Sequence, residues 1–277
     1  MKQSKKPSVI LFMLICLCAL MAMPVTAEAA KLKTVNIDKY AKLSKSYTVF
    51  AYNPSSRWVN IRASRSTKAR RYGEINYGGA LVVKTSALKK GQKTAWIPVY
   101  LYNRRTKNGY QTGYVLASQV KLQSLYTKKF STNKIVNTAI KTGFKYLGTP
   151  FEMPGASLAN GIDCAQFAAA IYRTAGRGGL GTHTDYLQSA CWEVFYNRTH
   201  QTLTNSQMKK LKAGDLLFYL KDDTSGPIDH VAVYIGGGFM INSSGHYGEV
   251  YPNGGISIKR VQYGNRKIVR AMRLYGI

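Results

Sequence analysis

Two parts of the chain differ in the spacing of their hydrophobic residues. Residues 31–123 contain short apolar runs, rich in Val and Tyr, that are separated by Gly, Asn and Pro and show no long helical pattern. Runs of this length between turn residues are typical of β-strands. The clearest runs are 47–50, 59–62, 80–83, 95–100 and 113–115. The pattern predicts a small all-β barrel or sandwich over 31–123.

After a polar connector at 124–132, the hydrophobic period becomes helical. One apolar stripe comprises Ile135, Val136, Ala139, Ile140, Phe144 and Leu147. Gly148 ends this first helix, and a second is predicted from Cys164 to Ala175. The predicted strands that follow are 215–220, 230–235, 239–243, 256–261 and 269–274. Helices followed by strands predict an α+β domain over 133–277.

The N-terminus has the three parts of a secretory signal peptide. Three lysines among the first six residues precede an apolar run from Val9 to Met23. Pro24 breaks this run, and Ala27-Glu28-Ala29 offers a small-x-small cleavage site. The run is shorter than the roughly 20 residues that span a bilayer. We therefore expect residues 1–29 to be removed, the protein to be secreted, and no stable membrane insertion; an uncleaved anchor is the alternative.

The charge of the chain limits its partners. Lys and Arg total 40 against 12 Asp and Glu, a formal net charge of +28. Such a surface binds polyanions in a salt-dependent way. For an exported protein the expected partner is an anionic cell envelope and not nucleic acid, although basicity that only aids solubility is the alternative. The Cys and His residues lack a metal-ligand spacing, so no metal or other cofactor is predicted.

The second predicted helix begins with a cysteine. Asp163 is placed to cap the helix, and Cys164 lies in the first turn, where the helix dipole is expected to lower a thiol pKa. One apolar face comprises Cys164, Ala168, Ile171, Tyr172 and Ala175. The spacing therefore predicts a buried helix with the sulfur at the floor of a cleft. The alternative is that Cys164 is a small core residue.

A histidine and an asparagine are predicted to share one face of a hairpin. Residues 229–235 alternate as a strand, and Gly236-Gly237-Gly238 precedes a second run. With the glycines as the loop, His230 would face Ser244, and Asn242 would face Ala232. His230 and Asn242 would then be diagonal neighbours. Asn242 could hold one ring nitrogen of His230 while the other ring nitrogen faces the Cys164 thiol. The alternative is that His230 is a structural histidine and Asn242 a polar strand residue.

Four blocks in order resemble the NlpC-type cell-wall cysteine peptidases, a branch of the papain-like fold. The blocks are Tyr146–Phe151, Gly161–Cys164, Lys212–Phe218 and Asp229–Gly236, and the likeness covers roughly 133–275. The resemblance implies Cys164 as nucleophile, His230 as base and Asn242 as the third catalytic residue. Histidine is commoner at the third position, but an asparagine orients the imidazole by the same logic.

The resemblance also has departures. The family usually has Ser and Gly after the nucleophile, where this chain has Ala165 and Gln166, and Phe151 replaces a usual Tyr. In some members an Asp beside the nucleophile holds the free amine of the substrate. The resemblance thus implies Asp163 and Ala165 as substrate-binding residues, although capping is the simpler role for Asp163.

The N-terminal region resembles the bacterial SH3-like domains of secreted wall proteins. Val59-Asn60-Ile61-Arg62-Ala63 is similar to the family's V-N-hydrophobic-R run, and residues 111–115 are similar to its closing strand. This implies an SH3-like barrel that binds wall or narrows the substrate cleft. A β barrel of other ancestry is the alternative.

Together the two resemblances imply a secreted, wall-associated peptidoglycan hydrolase. Its activity would be that of a cysteine endopeptidase on stem peptides, at the D-glutamyl–diamino acid bond. The alternatives are an inactive wall-binding protein and a papain-like amidase or acyltransferase on another acyl substrate.

A few further side chains are placed by their context. Cys191 is expected to be a buried free thiol in a packed helix or short irregular segment. His183 and Asp185 are expected in a loop near the cleft. His246 is a weaker rival to His230 because it lacks the alternating strand.

Overall fold

The computed structural model describes residues 32–104, 109–198, 202–220, 227–245, 251–262 and 267–277. The predicted signal peptide, 1–29, lies outside them. Residues Lys33–Ile277 form one compact unit. No helix within the described ranges is long and apolar enough to cross a membrane.

The N-terminal region is built from short strands, as its hydrophobic pattern predicts. Its strands are β1 (Val35–Asn36), β2 (Tyr47–Tyr52), β3 (Val59–Arg62), β4 (Arg71–Ile75), β5 (Gly79–Val83), β6 (Lys93–Thr94), β7 (Trp96–Tyr102), β8 (Tyr110–Leu116) and β9 (Lys121–Tyr126). A short helix, α1 (Asp38–Ala41), follows β1. All five predicted strands are confirmed, and β9 extends three residues into the stretch predicted as a connector.

The remaining chain contains the two predicted helices and the predicted strands. Its helices are α2 (Lys134–Lys145), α3 (Cys164–Thr174), α4 (Thr184–Ser189) and α5 (Asn205–Lys210). Its strands are β10 (Ala156–Ser157), β11 (Gly161–Ile162), β12 (Cys191–Tyr196), β13 (Leu216–Leu220), β14 (Ile228–Gly236), β15 (Phe239–Ser244), β16 (Gly255–Arg260) and β17 (Ile268–Leu274). The molecule is thus mostly sheet with few helices.

One antiparallel sheet joins the two regions. Its strand order is β12-β17-β13-β14-β15-β16-β5-β7-β8-β3-β4, with β2 on β5 and β9 on β2. The first half of β5 pairs with β16, so that Ala80 lies opposite Ile258, and its second half pairs with β7. This path is open: no closed barrel is found among the described strands, and the expectation of an SH3-like barrel is not confirmed.

Helices α2 and α3 pack together on one face of the sheet, against β14 and β15. A Cβ at Gly143 of α2 would lie 2.9 Å from Ile241 and 3.2 Å from Phe167, so this glycine permits the close approach of helix and sheet. Val231 and Val233 face this core, whereas Ala232 faces a second apolar cluster on the opposite side. Strand β14, which carries His230, is therefore buried on both faces.

Candidate active site

Helix α3 begins where the sequence predicts. The Asp163 side chain accepts a hydrogen bond from the backbone N–H of Gln166 at 2.9 Å, which confirms it as the helix cap. The predicted apolar face is buried through Tyr172, and Cys164 is 9% exposed. The cap and the buried face together fix the thiol at the first turn of a helix that packs against the sheet.

The surroundings of the thiol differ from the expectation. Burial raises the pKa of Cys164 to about 11, and the negative charges of Asp163 and Asp229 raise it further, whereas the backbone N–H groups of Val231 and Ala165 lower it. The predicted lowering of this pKa is wrong. The helix start contributes only a partial charge, and the cost of placing a thiolate in a low-dielectric interior is larger.

The hairpin register matches the prediction where pairs are formed. Val233 lies opposite Ile241 and Tyr234 opposite Met240, with a one-residue shift at the glycine loop. This register places His230 and Asn242 together: the imidazole Nε2 lies 3.0 Å from the side-chain Oδ1 of Asn242. The predicted contact between these side chains is confirmed.

The hydrogen bonds of Asn242 determine which ring nitrogen carries a proton. Its Nδ2 donates to the backbone carbonyl of Ser257 at 3.1 Å, and that carbonyl can only accept. The Oδ1 of Asn242 therefore faces His230 and accepts from Nε2–H. In a neutral imidazole the lone pair then lies on Nδ1.

The structure also brings the helix start to the histidine strand. The Cys164 sulfhydryl donates to the backbone carbonyl of Asp229, with Sγ and oxygen 3.7 Å apart. The sulfur thus lies against the residue that precedes His230. His230 is 4% exposed and Asn242 is fully buried, so the polar groups pack within the protein.

The two residues proposed for substrate contact flank the nucleophile. Ala165 is 5% exposed. Burial raises the pKa of Asp163, whereas hydrogen bonds from backbone N–H groups, including those of Gln166 and Ala165, lower it. The capping role of Asp163 is a contact in the structure, while a substrate role for either residue stays a prediction.

The remaining candidates have separate outcomes. Cys191 is a buried free thiol, as expected, and donates to the Leu187 carbonyl at 3.1 Å. The predicted packed helix is found only before Cys191, in α4, which contains Leu187, whereas Cys191 itself begins strand β12. His183 and Asp185 are largely exposed, and His183 Nδ1 lies 3.8 Å from Asp185 Oδ2. Asp185 was predicted in a loop but belongs to helix α4. His246 lies outside the described residues.

Two serines near the site were not found from the sequence. Ser243 donates to the Ile162 carbonyl at 2.6 Å, and Ser257 accepts from Asn242. The available signal was two strands, β15 and β16, in which small polar residues occur among apolar ones. Polar side chains at such positions require buried hydrogen-bond partners. Across the described residues, no group of three or more His, Cys, Asp or Glu side chains could hold a metal ion.

Comparison with known proteins identifies the region that contains these residues. The model of the NlpC/P60 family matches residues 148–273. Two curated relatives, from Bacillus cereus (strain ATCC 10987 / NRS 248) and Bacillus subtilis (strain 168), are named gamma-D-glutamyl-L-lysine dipeptidyl-peptidase. They are 34% and 31% identical over 104 residues, which is 38% of this chain. The chain spans 27% and 30% of their respective lengths.

A solved structure of an NlpC/P60 family protein from Bacillus cereus ATCC 10987 matches with a TM-score of 0.40 and 20% identity. The match covers 87% of this chain and 67% of that one. Residues 148–273 are thus an NlpC/P60 domain, which confirms the predicted resemblance to the cell-wall cysteine peptidases of this family.

Proposed function

We propose that the protein is a secreted cysteine endopeptidase that cleaves peptidoglycan stem peptides. The observation that carries the proposal is the contact between His230 and Asn242, next to the carbonyl that the Cys164 sulfhydryl contacts. The bond proposed for cleavage joins D-glutamate to the diamino acid. The names of the two Bacillus relatives support this choice.

The proposed chemistry uses the lone pair on Nδ1 of His230. Because burial keeps the Cys164 thiol protonated at neutral pH, Nδ1 takes the proton as the sulfur attacks the amide carbon. The backbone N–H of Cys164, at the helix start, is the proposed donor to the oxyanion. His230 then protonates the leaving amine, and water hydrolyses the thioester with His230 again as base.

Digestion of purified peptidoglycan tests this proposal. Wild-type protein should release stem-peptide fragments with a new N-terminal diamino acid, and mass spectrometry identifies the cut. Cys164→Ala should release none, while Cys191→Ala, which removes the other buried thiol, should retain activity. Equal release by wild-type and Cys164→Ala protein would contradict the proposal. A fragment from another bond would instead indicate an amidase or acyltransferase.

A second proposed function is that of a wall-binding protein without catalysis. The raised pKa of Cys164 favours it, because a thiol with a pKa of about 11 forms little thiolate at neutral pH. The excess of Lys and Arg over Asp and Glu, 40 against 12 in the full chain, supports adhesion to anionic wall polymers in either case. Salt-sensitive sedimentation with purified wall, without any released fragment, would identify this second function.

A further inference from the structure

Ser243 connects the strand of Asn242 to the segment that precedes Cys164. It is fully buried in β15, and its hydroxyl donates to the Ile162 carbonyl of β11 at 2.6 Å. In sequence the two residues are far apart. This hydrogen bond joins the two parts of the chain that contribute the proposed nucleophile and the proposed third catalytic residue.

The ends of this hydrogen bond lie close to the reacting groups along the chain. Ile162 is followed by the cap Asp163 and then by Cys164, so a carbonyl two residues before the thiol is held in place. Ser243 directly follows Asn242, whose side chain contacts His230. A displacement of β11 from β15 would therefore move the sulfur relative to the imidazole.

The contacts form a closed circuit. Cys164 is joined to Ile162 along the chain, and the Ile162 carbonyl accepts the hydrogen bond from Ser243. Ser243 is in turn the chain neighbour of Asn242. The side chain of Asn242 leads to His230, and the carbonyl of the preceding residue accepts from the Cys164 sulfhydryl. Each of the three non-covalent contacts in this circuit restrains the same quantity, the position of the sulfur relative to the ring.

We infer that Ser243 is a positioning residue, which sets the distance between the Cys164 thiol and the His230 imidazole through its hydrogen bond to Ile162. The inference rests on the proposed function for its consequence in catalysis. Misplacement of a reacting group by about 1 Å costs on the order of 100-fold in rate. Loss of the Ser243 hydroxyl should therefore lower kcat by about 10- to 100-fold and leave KM nearly unchanged.

Alkylation of Cys164 by iodoacetamide tests the inference without a substrate. Adducts at Cys164 and Cys191 are separated by peptide mass. In wild-type protein, His230 should assist alkylation of Cys164 at pH 7. In Ser243→Ala the rate at pH 7 should fall about 10- to 100-fold. The two rates should converge as the pH approaches 11, where the thiolate forms without assistance.

The matched control removes another hydrogen bond from a side-chain hydroxyl to a backbone carbonyl, in the part of the chain that precedes Cys164. Thr149 donates to the Leu158 carbonyl at 2.5 Å, without a link to β15. Thr149→Val should lower the melting temperature but keep the wild-type alkylation profile. Ser243→Thr, which keeps a hydroxyl, should also keep the wild-type alkylation profile. If Ser243→Ala does not fold, Ser243→Cys replaces it, since a sulfhydryl is a weaker donor of similar size.

The outcomes separate this inference from the proposed function. A folded Ser243→Ala protein with the wild-type profile would overturn the inference. An unchanged profile in His230→Ala would overturn the pairing of thiol and imidazole, and the inference with it. If wild-type protein releases no stem peptide but Ser243→Ala loses the assisted alkylation, the inference stands and the proposed function fails.

Discussion

At the scale of single residues, the site depends on the fixed orientation of one amide. Asn242 donates to the Ser257 carbonyl and accepts from His230, so both of its polar atoms are used within the protein. A side chain held at both ends positions the imidazole more tightly than a single hydrogen bond does. If Asn242 is the third catalytic residue, as we propose, these two hydrogen bonds are what fixes the orientation of the imidazole.

Asn242→Ala removes this orientation. We expect kcat on stem peptides to fall by on the order of 100-fold, with little change in KM, because the imidazole no longer holds its productive angle. Steady-state kinetics on a purified stem peptide measures both constants. Asn53→Ala is the control: Asn53 is also fully buried and donates to two backbone carbonyls, far along the chain from the site. Equal losses of kcat in the two variants would contradict the orienting role.

The raised pKa of Cys164 also predicts a pH dependence of stability. The folded protein keeps a thiol proton up to a pKa of about 11, whereas an unfolded chain loses it near the ordinary value of 9.0. The resulting stabilisation is complete below pH 9 and is lost as the pH rises through 11. That difference corresponds to about 3 kcal/mol, as an order of magnitude.

Urea unfolding of wild-type and Cys164→Ala protein between pH 7 and pH 12 measures this effect. The alanine variant should be less stable at neutral pH, and the gap should narrow as the pH rises. Cys191→Ala should show a narrowing that continues to higher pH, because the pKa of Cys191 is raised to about 12. Stability curves for Cys164→Ala that stay parallel to wild type would contradict the prediction.

At the scale of elements, regular patterns predicted the structure and an irregular one did not. Within β14, residues Val231–Ile235 form an uninterrupted apolar run, and the register of Val233 and Tyr234 with β15 follows from the glycine loop. Strand β12 was missed because its pairing with β17 shifts between Glu193 and Phe195, and this bulge breaks the period of two that identifies a strand. A regular hydrophobic period in the sequence predicts a strand, whereas a bulge hides that period and the strand is not recognised.

The meeting of helix and strand at the site could be predicted only in part. The hairpin placed His230 beside Asn242 because both lie within a few residues of one turn. The contact of Cys164 with Asp229 spans 65 positions of sequence and depends on how α3 packs on the sheet. The pKa of the thiol follows from that packing, so a rule based on the helix start alone gave the wrong direction.

Two substitutions of Asp163 separate the effect of its helix cap on stability from the effect of its charge on the pKa of Cys164. Asp163→Ala removes the cap and should lower the free energy of unfolding by about 1 kcal/mol, whereas Asp163→Asn keeps an acceptor and should cost only a few tenths. Chemical denaturation measures both. Because the charge of Asp163 raises the pKa of Cys164, the Asn variant should also alkylate faster at pH 7. A marked loss of stability in Asp163→Asn would contradict the capping account.

At the scale of the whole molecule, the two regions of the chain are joined by more than a linker. Strand β5 pairs with β16, and the Tyr251 hydroxyl donates to the Ala80 carbonyl at 2.6 Å within the interior. Asn253 accepts from the Asn76 backbone N–H and donates to the Glu74 carbonyl. One hydrophobic cluster includes residues from both regions, among them Phe50 and Phe239, whose ring centroids are 4.8 Å apart.

This shared core predicts that the two regions unfold together. Calorimetry should show a single transition for the compact unit Lys33–Ile277, with equal calorimetric and van't Hoff enthalpies. Tyr251→Phe removes a buried hydrogen bond between the regions and leaves the Ala80 carbonyl without that donor. It should therefore lower the stability of the whole by about 1 to 3 kcal/mol, and the transition should stay single. Two resolved transitions, or a Tyr251→Phe effect confined to one of them, would show that the regions fold independently. The strand pairing at β5 would then contribute little to holding the sheet that carries His230 and Asn242.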